Sequence, residues 1–209
     1  MNKFKKDKIL YLVTDAKLCG EKPLEEVVES AILGGVDVVQ LREKHSSKEE
    51  FLRIGRSIKT ICDAHQVPLI INDCLDTAVA LDAAGVHIGQ SDLPYEVVRK
   101  KLGPDKIIGL TINTLIQAKD AESLDVDYLG VGPIFPTLTK LDAGDLWGFD
   151  NLNRLRNLSR HTLIGIGGIN QSNAGKLMEI GFNGIAVVTA ICAAKCPRTN
   201  AKELSSLLL

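Results

Sequence analysis

The sequence predicts a closed (β/α)₈ barrel, a TIM barrel of the α/β class, formed by one domain. Three observations carry that expectation. Eight short, almost continuously apolar runs rich in β-branched residues recur along 209 residues, the pattern of parallel strands buried on both faces. Segments compatible with helix, several with capping signals, separate the runs. Polar residues stand just past the end of each run, where such a barrel places its chemistry. A doubly wound open sheet shares the alternation, but eight units of similar length favour closure.

The elements follow in order. The first run, residues 9–13, is preceded by Lys3, Lys5, Lys6 and Lys8, which read as a flexible basic tail over residues 1–8. Pro23 suits the first turn of the next helix, and Gly34-Gly35 suits its end. The second run, 36–41, leads into Gln40-Leu41-Arg42-Glu43-Lys44. Strand alternation points Gln40, Arg42 and Lys44 to one side, three polar groups that suit a polar ring or a phosphate. The competing reading is a solvated strand end with Glu43 in a salt bridge. Ser46-Ser47-Lys48-Glu49-Glu50 starts the following helix.

The third run, 68–71, ends in Ile71-Asn72-Asp73, and the fourth, 85–88, in His87-Ile88-Gly89-Gln90-Ser91-Asp92. Ala84-Gly85 reads as a helix end and His87 as a structural residue inside the strand. Asp73 and Asp92 face one rim from neighbouring strands. Two carboxylates about 5 Å apart repel by roughly 3 kcal/mol at an effective dielectric near 20. A cation such as Mg²⁺ or a shared proton offsets that, and hard oxygen ligands with open positions suit Mg²⁺ held jointly with phosphates. The plainer reading has both aspartates capping the helices that follow.

Pro94 and Pro104 fit a first helical turn or a loop. The fifth run, 107–110, ends in Thr111-Ile112-Asn113-Thr114; Thr111 points a hydroxyl at the mouth, and Asn113 or Thr114 caps the next helix. The sixth run, 127–131, opens into a loop with Thr137, Thr139 and Lys140 that reaches Trp147, long enough to close over a ligand. The seventh, 162–166, leads into Gly167-Gly168-Ile169-Asn170, and Asn170-Gln171-Ser172-Asn173 starts a helix. Gly181 marks that helix's end. The eighth, 183–188, ends in Val188-Thr189. Loops seven and eight commonly bind phosphate through backbone N–H groups.

Composition narrows the class. Hydrophobic residues make up 45% and charged residues 24%, an ordinary globular balance. A net charge of −1 argues against bulk attraction to nucleic acid or membrane. No apolar run reaches the roughly 18 residues that span a bilayer, and the first run is too short for a signal peptide. A cytoplasmic protein acting on small phosphorylated molecules is expected. Cys19, Cys62, Cys74, Cys192 and Cys196 contain no Cys-x-x-Cys pair and read as reduced packing thiols.

Taken together, these segments closely resemble thiamine phosphate synthase, from Tyr11-Leu12-Val13-Thr14-Asp15 to Val188-Thr189-Ala190-Ile191. The resemblance implies a transferase of thiamine biosynthesis. Its reaction joins a hydroxymethylpyrimidine diphosphate to a thiazole phosphate and releases pyrophosphate, and two copies of the chain pair as a homodimer. It assigns Gln40, Leu41, Arg42, Glu43, Lys44, Asn72, Thr111 and Lys140 to the pyrimidine diphosphate, with Arg42, Thr111 and Lys140 as the catalytic set. Asp73 and Asp92 take Mg²⁺, while Thr137, Leu138, Thr139, Gly168, Val188 and Thr189 take the thiazole phosphate. This chain departs from the family pattern in carrying Thr111 for serine, Asn113 for histidine, and Leu138 and Leu141 for prolines. A related thiazole tautomerase needs a histidine base near position 113, and a non-catalytic binder has no use for a diphosphate clamp.

Overall fold

The computed structural model of the chain describes residues 3–4, 6–44, 46–137, 139 and 144–208. Eight parallel strands pair in chain order and close on themselves, β1 (Ile9–Val13), β2 (Val38–Leu41), β3 (Leu69–Asn72), β4 (Gly85–Ile88), β5 (Ile107–Ile112), β6 (Tyr128–Val131), β7 (Thr162–Ile166) and β8 (Gly184–Val187). The helices between them are α1 (Leu24–Leu33), α2 (Lys48–Ala64), α3 (Leu75–Ala80), α4 (Tyr95–Leu102), α5 (Leu115–Ala121), α6 (Phe149–Leu158) and α7 (Ala174–Ile180). A single turn, α8 (Thr189–Cys192), and a last helix, α9 (Pro197–Ser206), follow β8. The eightfold alternation legible in the sequence is the barrel.

Strand starts differ from expectation in a consistent way. β2, β6 and β8 begin after Asp37, Asp127 and Asn183, which the apolar runs had included. Each of these side chains accepts the backbone N–H of a residue on the neighbouring strand: Asp37 from Leu10, Asp127 from Ile108 and Asn183 from Leu163, all at 2.8–2.9 Å. A side-chain oxygen thus takes over part of the ladder at the barrel floor. Capping signals fare unevenly. Ser47 Oγ accepts Glu50 N–H at 3.2 Å and starts α2 as expected. Asn173 instead serves the loop before α7, accepting from Asn170 N–H and donating to the Gly168 carbonyl, both at 2.9 Å. Gly181 ends α7 in the left-handed conformation that glycine tolerates. Gly85 does not end a helix; it opens β4, where a Cβ would lie 2.0 Å from the Ile107 carbonyl oxygen.

Alternation along each strand separates two cores. Leu10, Leu12, Val39, Leu41, Ile71 and Val86 face outward against the helices. Ile9, Tyr11, Val13, Val38, Ile70, Ile107, Tyr128, Ile164 and Ala186 fill the interior. The Tyr128 ring occupies the place where an inward Cβ on Gly109 would stand, 2.1 Å from its Cζ. A Cβ on Gly130 would meet the His87 ring at 2.9 Å. These glycines vacate volume for the two large rings beside them.

The basic start of the chain is not simply a solvated tail. Lys3 Nζ donates to the carbonyls of Pro104 and Lys106, both at 2.8 Å, and pairs with Asp127 at 3.1 Å. The Phe4 ring meets Tyr128 edge-on at 5.6 Å. Lys6 pairs with Asp37, and Lys8 donates to the Phe182 carbonyl. The floor of the barrel offers unpaired carbonyls and carboxylates, and the lysines satisfy them. Lys5 lies outside the described residues. Among the described residues no helix is long and apolar enough to cross a membrane, and all five cysteines are free thiols.

Gly109→Ala forces its new methyl into the Tyr128 ring and lowers unfolding free energy by about 1–3 kcal/mol in urea denaturation. Gly175→Ala, where an added Cβ meets nothing within 4 Å, is expected to raise it by about 0.5 kcal/mol.

Candidate active site

The C-terminal ends of the strands surround a cavity of about 890 Å³, to which all eight strands or their following loops contribute. β2 sends Gln40 into it, and the extended chain beyond adds Arg42 and Lys44. Alternation turns Leu41 and Glu43 away, so neither side chain reaches the cavity. Leu41 is fully buried in the outer core. Glu43 accepts from Thr14 Oγ1 at 2.8 Å and from Ala16 N–H, tying the loop after β1 to the end of β2. Burial pushes the Glu43 carboxyl above its ordinary value, and no salt bridge joins it among the described residues.

Asn72 and Asp73 close β3 and line the cavity beside Asp92 from the loop after β4. Asp73 has a φ of 59°, a left-handed conformation uncommon for a side-chain-bearing residue. Its backbone N–H donates to the His87 carbonyl at 2.9 Å, which fixes the turn and aims the carboxylate at the rim. Asp92 Oδ2 accepts the Gly89 N–H at 2.7 Å, so one carboxylate oxygen organises its own loop, and neither aspartate caps the helix that follows it, as α3 and α4 start after Cys74 and Pro94 without a side-chain cap. Loss of hydration and the neighbouring Asp92 carboxylate push Asp73 up to about 6, and Lys44 works in the opposite direction. Asp73 is open to solvent at the rim; the concave surroundings still displace part of its water, so the upward direction stands. Among the described residues no group of three acidic, histidine or cysteine ligands forms a protein-only metal cage.

On the opposite rim, Thr137, Thr139, Gly168, Val188 and Thr189 line the cavity. Thr139 Oγ1 and Thr189 Oγ1 share a hydrogen bond of 3.1 Å that links the loops after β6 and β8. Gly168 lines the cavity with a φ of 63°, and a Cβ there would lie 2.4 Å from the Pro136 carbonyl oxygen, so only glycine lets this backbone pack against the loop after β6. Leu138 and Lys140 lie outside the described residues, as does Leu141. Trp147 is buried against the start of the segment after β6, donating Nε1–H to the Gly132 carbonyl at 3.3 Å.

The cavity floor holds residues that the sequence reading passed over. His87, read as structural, lines the floor with Tyr11, Tyr128 and Asn113. Its Nδ1 lies 2.9 Å from the Tyr128 hydroxyl and its Nε2 2.7 Å from Thr111 Oγ1. Tyr11 and Tyr128 share a hydrogen bond of 2.7 Å, and Gln40 Nε2 donates to Tyr11 Oη at 3.1 Å. The available signal was positional: Tyr11 lies two residues from each inward neighbour on β1, and Tyr128 opens the strand before the glycine run. Thr114 caps α5 by accepting from Gln117 N–H, which leaves Asn113 for the cavity, where its Nδ2 donates to the Gly132 carbonyl at 2.7 Å.

A family profile described as thiamine monophosphate synthase (TMP-TENI) matches residues 10–191. A thiamine-phosphate synthase of Clostridium tetani is 45% identical over 199 residues, covering 95% of each chain. One from Ruminiclostridium cellulolyticum is 46% identical over 207 residues, covering 99% of this chain and 98% of its own. Among solved structures, a thiamine phosphate pyrophosphorylase from Pyrococcus furiosus superposes with a TM-score of 0.88 at 33% identity, covering 97% of this chain and 96% of its own.

The raised Asp73 carboxyl has a consequence for pH. The folded protein holds this proton more tightly than the unfolded chain. The stability it contributes is therefore complete below the ordinary aspartate value, about 3.9, and is lost as pH rises through about 6. A ¹³C NMR titration of the metal-free protein is expected to find Asp73 titrating near 6. Asp92→Asn returns it toward the ordinary value and flattens the fall of Tm across that window.

Proposed function

This chain belongs to the thiamine monophosphate synthase family and is a transferase, and from that premise we propose its reaction. It joins 4-amino-2-methyl-5-hydroxymethylpyrimidine diphosphate to hydroxyethylthiazole phosphate, giving thiamine monophosphate and pyrophosphate, or to its carboxylated form with loss of carbon dioxide as well. One observation carries the reading. A single cavity has two rims that suit anions, each of a different kind. One pairs carboxylates with Arg42 and Lys44, which suits a metal-bound diphosphate. The other joins the Thr139 and Thr189 hydroxyls beside the Gly168 backbone, which suits a plain phosphate.

Mg²⁺ is the metal assigned to Asp73 and Asp92. The donor set fits it: hard oxygens, few in number, leaving positions for water and diphosphate oxygens. The Asp92 carboxylate, close enough to raise the proton affinity of Asp73, also favours a divalent ion. When bound, the ion supplies positive charge to the diphosphate. Arg42 and Lys44 hold the same group from β2's end, and Lys140 joins them by family resemblance. Gln40, Asn72 and Thr111 face the pyrimidine ring. Thr137, Thr139, Gly168, Val188 and Thr189 hold the thiazole phosphate, with Leu138 beside them by resemblance.

The bond from the pyrimidine methylene carbon to oxygen breaks, and both electrons leave with pyrophosphate. The electron-rich aminopyrimidine spreads the resulting positive charge, so the path is dissociative. The thiazole nitrogen then donates its lone pair to that carbon, and the positive charge ends on the thiazolium. With the uncarboxylated thiazole no proton moves, so no side-chain base is required. Arg42 and Lys140 stabilise the charge that develops on the leaving group. A tautomerase would need a base at position 113, and the Asn113 amide, which donates to the Gly132 carbonyl, is not one.

The direct test mixes purified protein with Mg²⁺ and both substrates and follows thiamine monophosphate by mass spectrometry. Product that disappears with EDTA is expected; no product with both ligands bound would overturn the reading. Asp92→Ala is expected to lower turnover by about a hundredfold or more while thiazole phosphate binding, read by calorimetry, stays unchanged. Thr139→Val is expected to raise KM for the thiazole phosphate about tenfold with little effect on KM for the diphosphate.

A further inference from the structure

A hydrogen-bonded chain lies beneath the cavity. It runs from Gln40 Nε2 to Tyr11 Oη, Tyr128 Oη, His87 Nδ1 and, through the ring, from His87 Nε2 to Thr111 Oγ1, at 3.1, 2.7, 2.9 and 2.7 Å. The chain is buried along most of its length, with Tyr128 0% exposed, Tyr11 2%, Gln40 4% and His87 8%. Every member lines the cavity, with Gln40 and Thr111 at the two ends of the chain. Burial pushes both phenols well above their ordinary value, so each keeps its single proton. A phenol has one proton to donate, and a neutral imidazole has one donor nitrogen and one acceptor.

Those counts give the chain a direction. Gln40 Nε2 is a donor, so Tyr11 accepts from it and passes its own proton to Tyr128. Tyr128 in turn donates to His87 Nδ1. The His87 proton is then on Nε2 and faces Thr111 Oγ1, which leaves the Thr111 proton to point at the ligand. At the other end, Gln40 Oε1 is left as an acceptor. A fault anywhere leaves a buried polar group without its partner, which is costly in a closed interior.

We propose that Tyr11, Tyr128 and His87 are positioning residues that set Gln40 as the acceptor and Thr111 as the donor toward the pyrimidine, and so select an aminopyrimidine over its oxo analogue. The inference rests on the pyrimidine diphosphate reading above. An aminopyrimidine offers an amine donor beside a bare ring nitrogen, the complement of that pattern. Replacing the amine by an oxo group puts an acceptor where the amine stood and a proton on the ring nitrogen, which reverses both contacts. The tyrosines act through the two ends of the chain.

The test has two readouts. ¹⁵N NMR of histidine-labelled, ligand-free protein, with the His87 signal assigned by its loss in His87→Gln, reads which ring nitrogen carries the proton. Competition binding of the two pyrimidine diphosphates reads selectivity. Wild type is expected to hold His87 neutral with the proton on Nε2. Tyr128→Phe keeps the ring and removes the donor; it is expected to give mixed tautomers and a selectivity reduced about tenfold. Tyr11→Phe, which cuts the chain one link earlier, is expected to keep the Nε2 proton yet lose selectivity, a split that mere loosening of the fold does not produce. A wild-type proton on Nδ1, a doubly protonated ring, or unchanged selectivity in both folded variants overturns the proposal. An intact Nε2 signal with neither pyrimidine bound supports the hydrogen-bond order and overturns the substrate reading instead.

Discussion

The interior of the barrel is a fixed small volume, and the division of that volume among inward-facing side chains governs everything above it. Two tyrosines and a histidine take most of the middle layer. Gly109 and Gly130 surrender their share, since a Cβ at either would strike the Tyr128 or His87 ring. The rings pack against these glycines, and among the described residues no buried side-chain nitrogen or oxygen lacks a partner. The floor of the cavity is therefore rigid before any ligand arrives.

That floor is braced from below as well. Phe4 lies against the Tyr128 ring, and Lys3 ties the chain's start to carbonyls and Asp127 at the foot of β6. Asp127 also accepts from Ile108 N–H and pairs with Arg99 on α4. Half-buried ion pairs of this kind add little net stability by themselves. Their effect here is geometric, because each also completes a backbone hydrogen bond at the edge of the barrel. The fold thus separates its duties, with closure and support at one end and charge and glycine backbone at the other.

Parts of the site were plain in the chain because they depend on local rules. Gln40, Arg42 and Lys44 reach the cavity since a strand and its extended continuation alternate sides. The same rule excludes the Leu41 and Glu43 side chains, although family resemblance groups all five. Asp73 and Asp92 meet because β3 and β4 are neighbours in a parallel sheet. His87 was read as structural because an isolated histidine inside an apolar strand usually is; its place in the cavity floor depends on Tyr128, 41 residues away, and on Thr111, 24 residues away. Asn113 and Thr114 were interchangeable as caps until the helix start chose Thr114.

By itself the sequence determined the eight-unit barrel, the strand ends that line the cavity and the family. Those follow from period, spacing and short motifs, which act over a few residues. Only the tertiary structure decided the strand starts at Asp37, Asp127 and Asn183, the seating of the basic first segment, the burial of Trp147 and the chain from Gln40 to Thr111. Each of these depends on contacts between segments far apart in sequence, and on how a closed interior apportions its volume, which no local pattern records.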